Sequence, residues 1–197
     1  MNSLKNIIIT VFLLASFPLF SQTEKKNIVE EKKEYYANEE IILQFPKTEN
    51  EEPSLYVSSS FGTTILFTKS EKNKLYYEFP KAITRKTGVI FWKLIAEKEV
   101  LTGQFEILPN EEIEEVETYI GPPSIIVGGK DFTMLVAIPA DKFDNPSKEN
   151  TAVVVKNQFL NEEVSEEILT KNLFSYNRIF SPKKSGRILL SSVAKET

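Results

Sequence analysis

Neither cysteine nor histidine occurs anywhere in the 197 residues. Those two absences exclude a Ser-His-Asp triad, a thiol nucleophile, a thiolate zinc site, an iron–sulfur cluster, a disulfide and an imidazole base. Glycine is scarce, at 7 residues, and the pair Gly128-Gly129 lacks the further glycines, the Lys-Ser/Thr pair and the following helix of a phosphate loop, so it reads as a connecting turn. Positive charge is the minority sign: 24 Lys+Arg against 28 Asp+Glu give a net charge of −4. That balance suits neither a nucleic-acid backbone nor any other polyanion. Carboxylates remain, and a glycosidase needs a pair of them at defined separation. Yet the glutamates lie in runs such as Glu30-Glu31-Lys32-Lys33-Glu34 and Glu162-Glu163-Val164-Ser165-Glu166-Glu167, which read as solvated faces. The expectation is a non-enzymatic chain with no catalytic, cofactor-binding or metal-ligating residue. A secreted, carboxylate-dependent glycan-active enzyme is the rival.

Long apolar runs are also missing, with one exception. Residues 7–20 are dominated by Ile, Leu and Phe, follow the single positive charge of Lys5, and end at Ser21 before Gln22. This is the order of n-region, h-region and cleavage site in a secretory signal peptide. The run is shorter than the roughly 20 residues of a bilayer span. Removal of residues 1–21 leaves 176 of the 197 residues, no transmembrane segment, and a destination in the periplasm, at the cell surface or outside the cell; an uncleaved anchor is the alternative. With no cysteine to exploit an oxidising exterior, stability has to come from burial.

What is present is strand. Beyond a charged spacer over residues 22–33, short runs rich in Ile, Val, Phe, Tyr and Thr recur at 40–45, 55–60, 63–68, 75–79, 89–96 and 101–108. A second series follows at 118–120, 124–127, 132–138, 152–155, 178–180 and 187–194. Regular spacing with Gly, Pro, Asn, Lys or Glu between runs predicts an all-β sandwich or barrel. At 160–171, Leu160, Val164 and Ile168 would also suit a helix, and strand is preferred. Between the series, residues 109–117 carry five glutamates, which predicts a solvated linker or an edge strand and a boundary near Glu112. Trp92 sits in a strand apolar on both faces, as expected of a central core strand. Tyr35-Tyr36 and Tyr76-Tyr77 each place one ring on either side of a strand.

At an offset of 98 residues, Thr87-Gly88 and the apolar run to Ala96 overlie Ser185-Gly186 and the run to Ala194. This predicts a degenerate repeat of two similar units. The first half continues into another strand, residues 101–108, and the second does not. If the halves share a fold, the second lacks its last strand: either this chain is a piece of a longer protein, or the edge accepts a strand from a partner.

The run Asp141-Lys142-Phe143-Asp144-Asn145-Pro146, between apolar strands at 132–138 and 151–155, is built of turn formers. Three oxygen-bearing side chains there could suggest calcium, but the alternating spacing and glycine of an EF-hand loop are missing, and a structural turn is expected. Strand, Asp-x-aromatic-x-Asn-Pro and Val-rich strand together resemble bacterial immunoglobulin-like domains of the invasin and intimin type over residues 116–197. Asp144 stands where that family usually has glycine. The resemblance implies an immunoglobulin-like β-sandwich serving as a spacer or presentation module of surface and adhesive proteins, and no catalytic residue. The expected architecture is therefore a signal peptide at 1–21, a spacer at 22–33 and two tandem immunoglobulin-like sandwiches at 34–110 and 113–197, with an unidentified protein or cell-surface partner and no nucleic acid.

Overall fold

A computed structural model describes residues 32–47, 52–71, 73–97 and 100–195; the expected signal peptide at 1–21 and most of the expected spacer at 22–33 lie outside them. Eight strands come first: β1 (Glu34–Tyr36), β2 (Ile42–Pro46), β3 (Leu55–Ser59), β4 (Gly62–Leu66), β5 (Lys69–Glu71), β6 (Lys74–Glu78), β7 (Gly88–Ile95) and β8 (Val100–Leu108), with a short helix α1 (Lys81–Thr84) before β7. One sheet has the order β1-β8-β7-β3-β4 and the facing sheet the order β2-β6-β5. β1 runs parallel to β8 and the other pairs are antiparallel, which is the two-sheet immunoglobulin-like arrangement.

Alternation in β7 shows how sequence makes this sandwich. Ile90, Trp92 and Leu94 point inward and are buried, while Phe91, Lys93 and Ile95 point outward and are exposed. The Trp92 ring lies edge-on to Phe45, with centroids 5.4 Å apart. On the neighbouring strand Gly103 stands opposite Trp92, and a Cβ there would come within 2.3 Å of the indole. The indole thus occupies the space of the missing side chain. Tyr35, Tyr77, Phe79 and Phe105 complete an aromatic core, and edge-to-face pairs such as Tyr35–Phe105 at 5.0 Å add to the area buried.

Six strands follow: β9 (Glu115–Gly121), β10 (Phe132–Ala140), β11 (Ala152–Phe159), β12 (Glu162–Leu169), β13 (Ser175–Phe180) and β14 (Ile188–Ala194). They form the sheets β13-β10-β9 and β12-β11-β14, closed over a smaller core of Leu135, Ala137, Val153, Val155 and Ile179. The described chain is thus nearly all β, in two immunoglobulin-like sandwiches, as the strand spacing and the resemblance lead one to expect. Within 160–171, residues 162–169 form the strand β12, because Leu160, at φ 56°, and Asn161 close a hairpin that sets Glu162 opposite Phe159.

Several elements differ from expectation. Residues 124–127 are a loop: Pro122 and Pro123 offer no N–H to a ladder, the Ile126 N–H is held by Asp131 at 2.7 Å, and Gly128 N–H donates to Pro182 O at 3.0 Å. β5 and α1 were not anticipated, and β1 was marked only by its tyrosine pair. At three or four residues each, they are too short to show a period. The acidic stretch after Pro109 ends as the edge strand β9, which joins β10 from Glu115 onward.

Candidate functional site at the joint between the sandwiches

The turn after β10 is organised by its first residue. Asp141 Oδ1 accepts the N–H groups of Phe143 at 2.8 Å and Asn145 at 3.1 Å, the Asx geometry that lets an aspartate replace a backbone turn. Asp141 N–H in turn donates to Asn145 O, and Asp144 N–H to Asp141 O. Asp144 takes the left-handed conformation, φ 60°, where the invasin-type pattern has glycine; aspartate tolerates that region better than most residues. Both anchors are sealed from water: Asp141 is 1% and Asn145 2% exposed.

This turn reaches into the first sandwich. Asn145 accepts from Thr87 N–H at 3.1 Å and donates through Nδ2 to Arg85 O at 2.8 Å, closing on the turn between α1 and β7. Asn110 N–H donates to Asp141 Oδ2 at 3.0 Å, so the segment after β8 is tied to the same carboxylate. Lys86 Nζ donates to Phe143 O at 2.9 Å. The half-buried Phe143 ring packs against the first core, with the Arg85 guanidinium 5.5 Å from its centre. A buried polar network of this kind holds geometry when each member has a partner, and Asp141 and Asn145 both do.

Burial pushes the Asp141 carboxyl up, but bonds from the Asn145 side chain and from the N–H groups of Asn110, Asn145 and Phe143 outweigh it and hold the pKa below its ordinary 3.8. A carboxyl that is more acidic folded than unfolded contributes stability that is complete above the unfolded value and is lost as pH falls through the folded one. The joint should therefore weaken only below about pH 4. Melting temperature measured from pH 6 to pH 2 is expected to fall more steeply below pH 4 for the natural chain than for Asp141→Asn.

The geometry does not suit calcium at Asp141, because its two oxygens are already taken by N–H donors, and among the described residues no group of three acidic side chains is placed to hold a metal. No described glutamate is fully buried. The two with shifted acidity, Glu39 and Glu78, are held below the usual range by bonds from Lys32 and Lys69, the opposite of a general acid. Trp92 lies in the core, and the tyrosine pairs split as expected, Tyr35 buried and Tyr36 exposed. The sequence marks Asp141, Phe143 and Asn145 as a turn. It carries no signal for their partners Arg85, Lys86, Thr87 and Asn110, which are ordinary loop residues until the second sandwich meets them.

No family model matches the chain, and no curated protein matches it. Among solved structures, a glycosyl hydrolase family 2 member from Bacteroides cellulosilyticus is similar over 81% of this chain and 22% of its own, at 15% identity and a TM-score of 0.37. Salmonella alpha-2-macroglobulin reacted with methylamine is similar over 87% of this chain and 14% of its own, at 10% identity and a TM-score of 0.37. The titin fragment A168169 is similar over 85% of this chain and 96% of its own, at 12% identity and a TM-score of 0.38. This chain thus spans about a fifth of the hydrolase and a seventh of the macroglobulin.

Proposed function

We propose that this protein is an exported, non-enzymatic structural element, two immunoglobulin-like modules at residues 34–110 and 113–197 that space or present a neighbouring part of a surface or adhesive protein, in the manner of the invasin and intimin type. The observation that carries the reading is the joint: Asp141 and Asn145, sealed and fully bonded, tie the turn of the second sandwich to residues 85–87 and 110 of the first. A spacer needs a fixed relation between its modules, and a buried polar network specifies one geometry more sharply than an apolar contact does. Export is supported by the signal-like order of residues 1–21. Among the described residues no helix is long and apolar enough to cross a membrane.

Small-angle scattering tests the spacer reading. Residues 22–197 should give a single narrow distribution of distances between the modules, and Asn145→Ala should broaden it while each sandwich stays folded. A natural chain as broad as the variant would end the reading. Cell fractionation with N-terminal sequencing tests export, with Gln22 expected as the first residue outside the cytoplasm and an intact Met1 inside it as the contrary result.

A further inference from the structure

The segment that receives the joint turn has a counterpart in the second sandwich. Arg85-Lys86-Thr87-Gly88 leads into β7, and Lys183-Lys184-Ser185-Gly186 leads into β14. The ladders make this a match of position as well as of sequence. A two-residue turn joins Ser59 to Gly62 in the hairpin β3–β4 and Phe159 to Glu162 in the hairpin β11–β12. One residue before each turn-flanking residue, Ser58 stands opposite Phe91 and Gln158 opposite Leu189. Phe91 and Leu189 are each the third residue after the glycine, so residues 85–88 and 183–186 hold the same place in their sandwiches. α1 alone has no counterpart, since Pro182 leads directly into Lys183. The second segment lies away from the joint: it follows Phe180, which pairs with Phe132 at the start of β10, whereas the joint turn follows Ala140 at its end.

Lys183, Lys184, Ser185 and Gly186 are all exposed. In the joint, Thr87 N–H donates to Asn145, Arg85 O accepts from it, and Lys86 donates to Phe143 O. At the matching positions, Ser185 N–H, Lys183 O and the Lys184 ammonium have no partner among the described residues. The segment is nonetheless held in place. Gly128 N–H donates to Pro182 O and Gly129 N–H to Ser181 Oγ, and a Cβ on Gly186 would come within 2.6 Å of the Phe159 ring. Beside it lies a recess of about 450 Å³ whose walls include Phe159, Leu160, Pro182, Lys183 and Lys184. Apolar surface next to cations is what the Phe143 ring meets in the joint, with the first core against it and Arg85 5.5 Å from its centre. We propose that residues 183–186 are a second docking half-site, which takes the Asp-x-aromatic-x-Asn turn of a further immunoglobulin-like module. The asparagine of that turn accepts from Ser185 N–H and donates to Lys183 O, Lys184 donates to the carbonyl of the aromatic residue, and the aromatic ring enters the recess. Two aspartates in such a turn, as at Asp141 and Asp144, suit a segment that opens with two lysines. A second copy of this chain is a poor occupant, because its own turn is already sealed in its own joint. The half-site rests on the spacer reading, whose joint supplies the pattern, and adds to it the partner that the far end of the second sandwich accepts.

The joint turn itself provides the probe. Ser147 N–H donates to Pro139 O at 2.8 Å, so a peptide of residues 139–147 can be closed head to tail through a short glycine link with its turn preserved. Titrated at millimolar concentration into residues 22–197, this peptide should move the amide resonances of Lys184, Ser185 and Gly186 saturably and leave those of residues 85–87 in place. The same peptide with Asn145→Ala should bind about tenfold more weakly, since it leaves a donor and an acceptor of the half-site unpaired. Lys184→Glu in the chain should weaken the natural peptide to a similar extent with the melting temperature unchanged; should that variant fail to fold, the comparison of the two peptides decides alone. Silent resonances at 183–186 overturn the proposal. Equal binding of the two peptides does so too, because charge alone would then account for it. Concentration-dependent shifts at 183–186 without peptide would assign the segment to a second copy and likewise overturn it. Shifts at both 183–186 and 85–87 would uphold the half-site and end the fixed joint of the spacer reading, whereas shifts at 85–87 alone would end both.

Discussion

Trp92→Ala is expected to destabilise the first sandwich by about 3–5 kcal/mol, the usual cost of removing a buried indole. Against a typical domain stability of about 5–15 kcal/mol, that leaves little. The effect is large because Trp92 fills two places at once. It packs on Phe45 across the sandwich, and it covers the site where Gly103 has no side chain. Alanine would empty both, and the surrounding β3, β7 and β8 are held in register by their ladders and cannot collapse far into the void. Gly103→Val tests the same fit from the other side. Its Cβ would sit 2.3 Å from the indole, so the ring or the strand must move, and overpacking of this kind costs about 1–3 kcal/mol or more. Urea titration followed by circular dichroism checks both variants. A midpoint for Trp92→Ala within experimental scatter of the natural chain would show that the indole is not a core residue.

Asp141→Ala is expected to cost on the order of 3 kcal/mol, because each buried donor left unpaired costs about 1–3 kcal/mol and water entering the gap recovers part of the loss. The donors in question are the N–H groups of Phe143, Asn145 and Asn110 and the amide of Asn145. The signature is more informative than the size. Trp92 is the only tryptophan and lies in the first sandwich, so its fluorescence reports that unit alone, whereas circular dichroism reports both. In the natural chain the two signals should change together. In Asp141→Ala the second sandwich, with its five-residue buried core, should melt first and the signals should separate. Coincident transitions in the variant would mean that the joint does not couple the sandwiches. A double-mutant cycle of Asp141→Ala and Asn145→Ala isolates the pair and should show a coupling of about 0.5–3 kcal/mol, as expected for residues in one hydrogen-bond network.

Much of the architecture was legible in the chain because strands announce themselves by a local period of two. β7 alternates so plainly that its buried and exposed faces follow from the order of residues, and β3, β6, β8 and β10 are found within a few residues of their observed ends. Where the local signal was short or ambiguous, reading failed. β5 holds three residues, too few for a period, and it is a strand only because β6 offers an edge for it. Residues 124–127 have strand composition, yet the Ile126 amide is drawn to Asp131 and the next glycine, Gly128, to Pro182 O, so the segment is held as a loop by partners that its composition does not reveal.

The division at the joint follows the same physics. Sequence by itself determined that Asp141 and Asn145 make a turn, since an aspartate bonding its own backbone two and four residues on is a local event, and it determined an all-β chain without thiol or imidazole chemistry. It also set the apolar run that ends at Ala194 over the run of β7 that ends at Ala96. Only the tertiary structure decided that the turn closes on residues 85–87 and 110 and that Gly103 lies beneath Trp92. Those contacts join residues up to 60 positions apart, and no local pattern encodes them, because their energy exists only once two independently patterned surfaces have been brought together and water has been excluded between them.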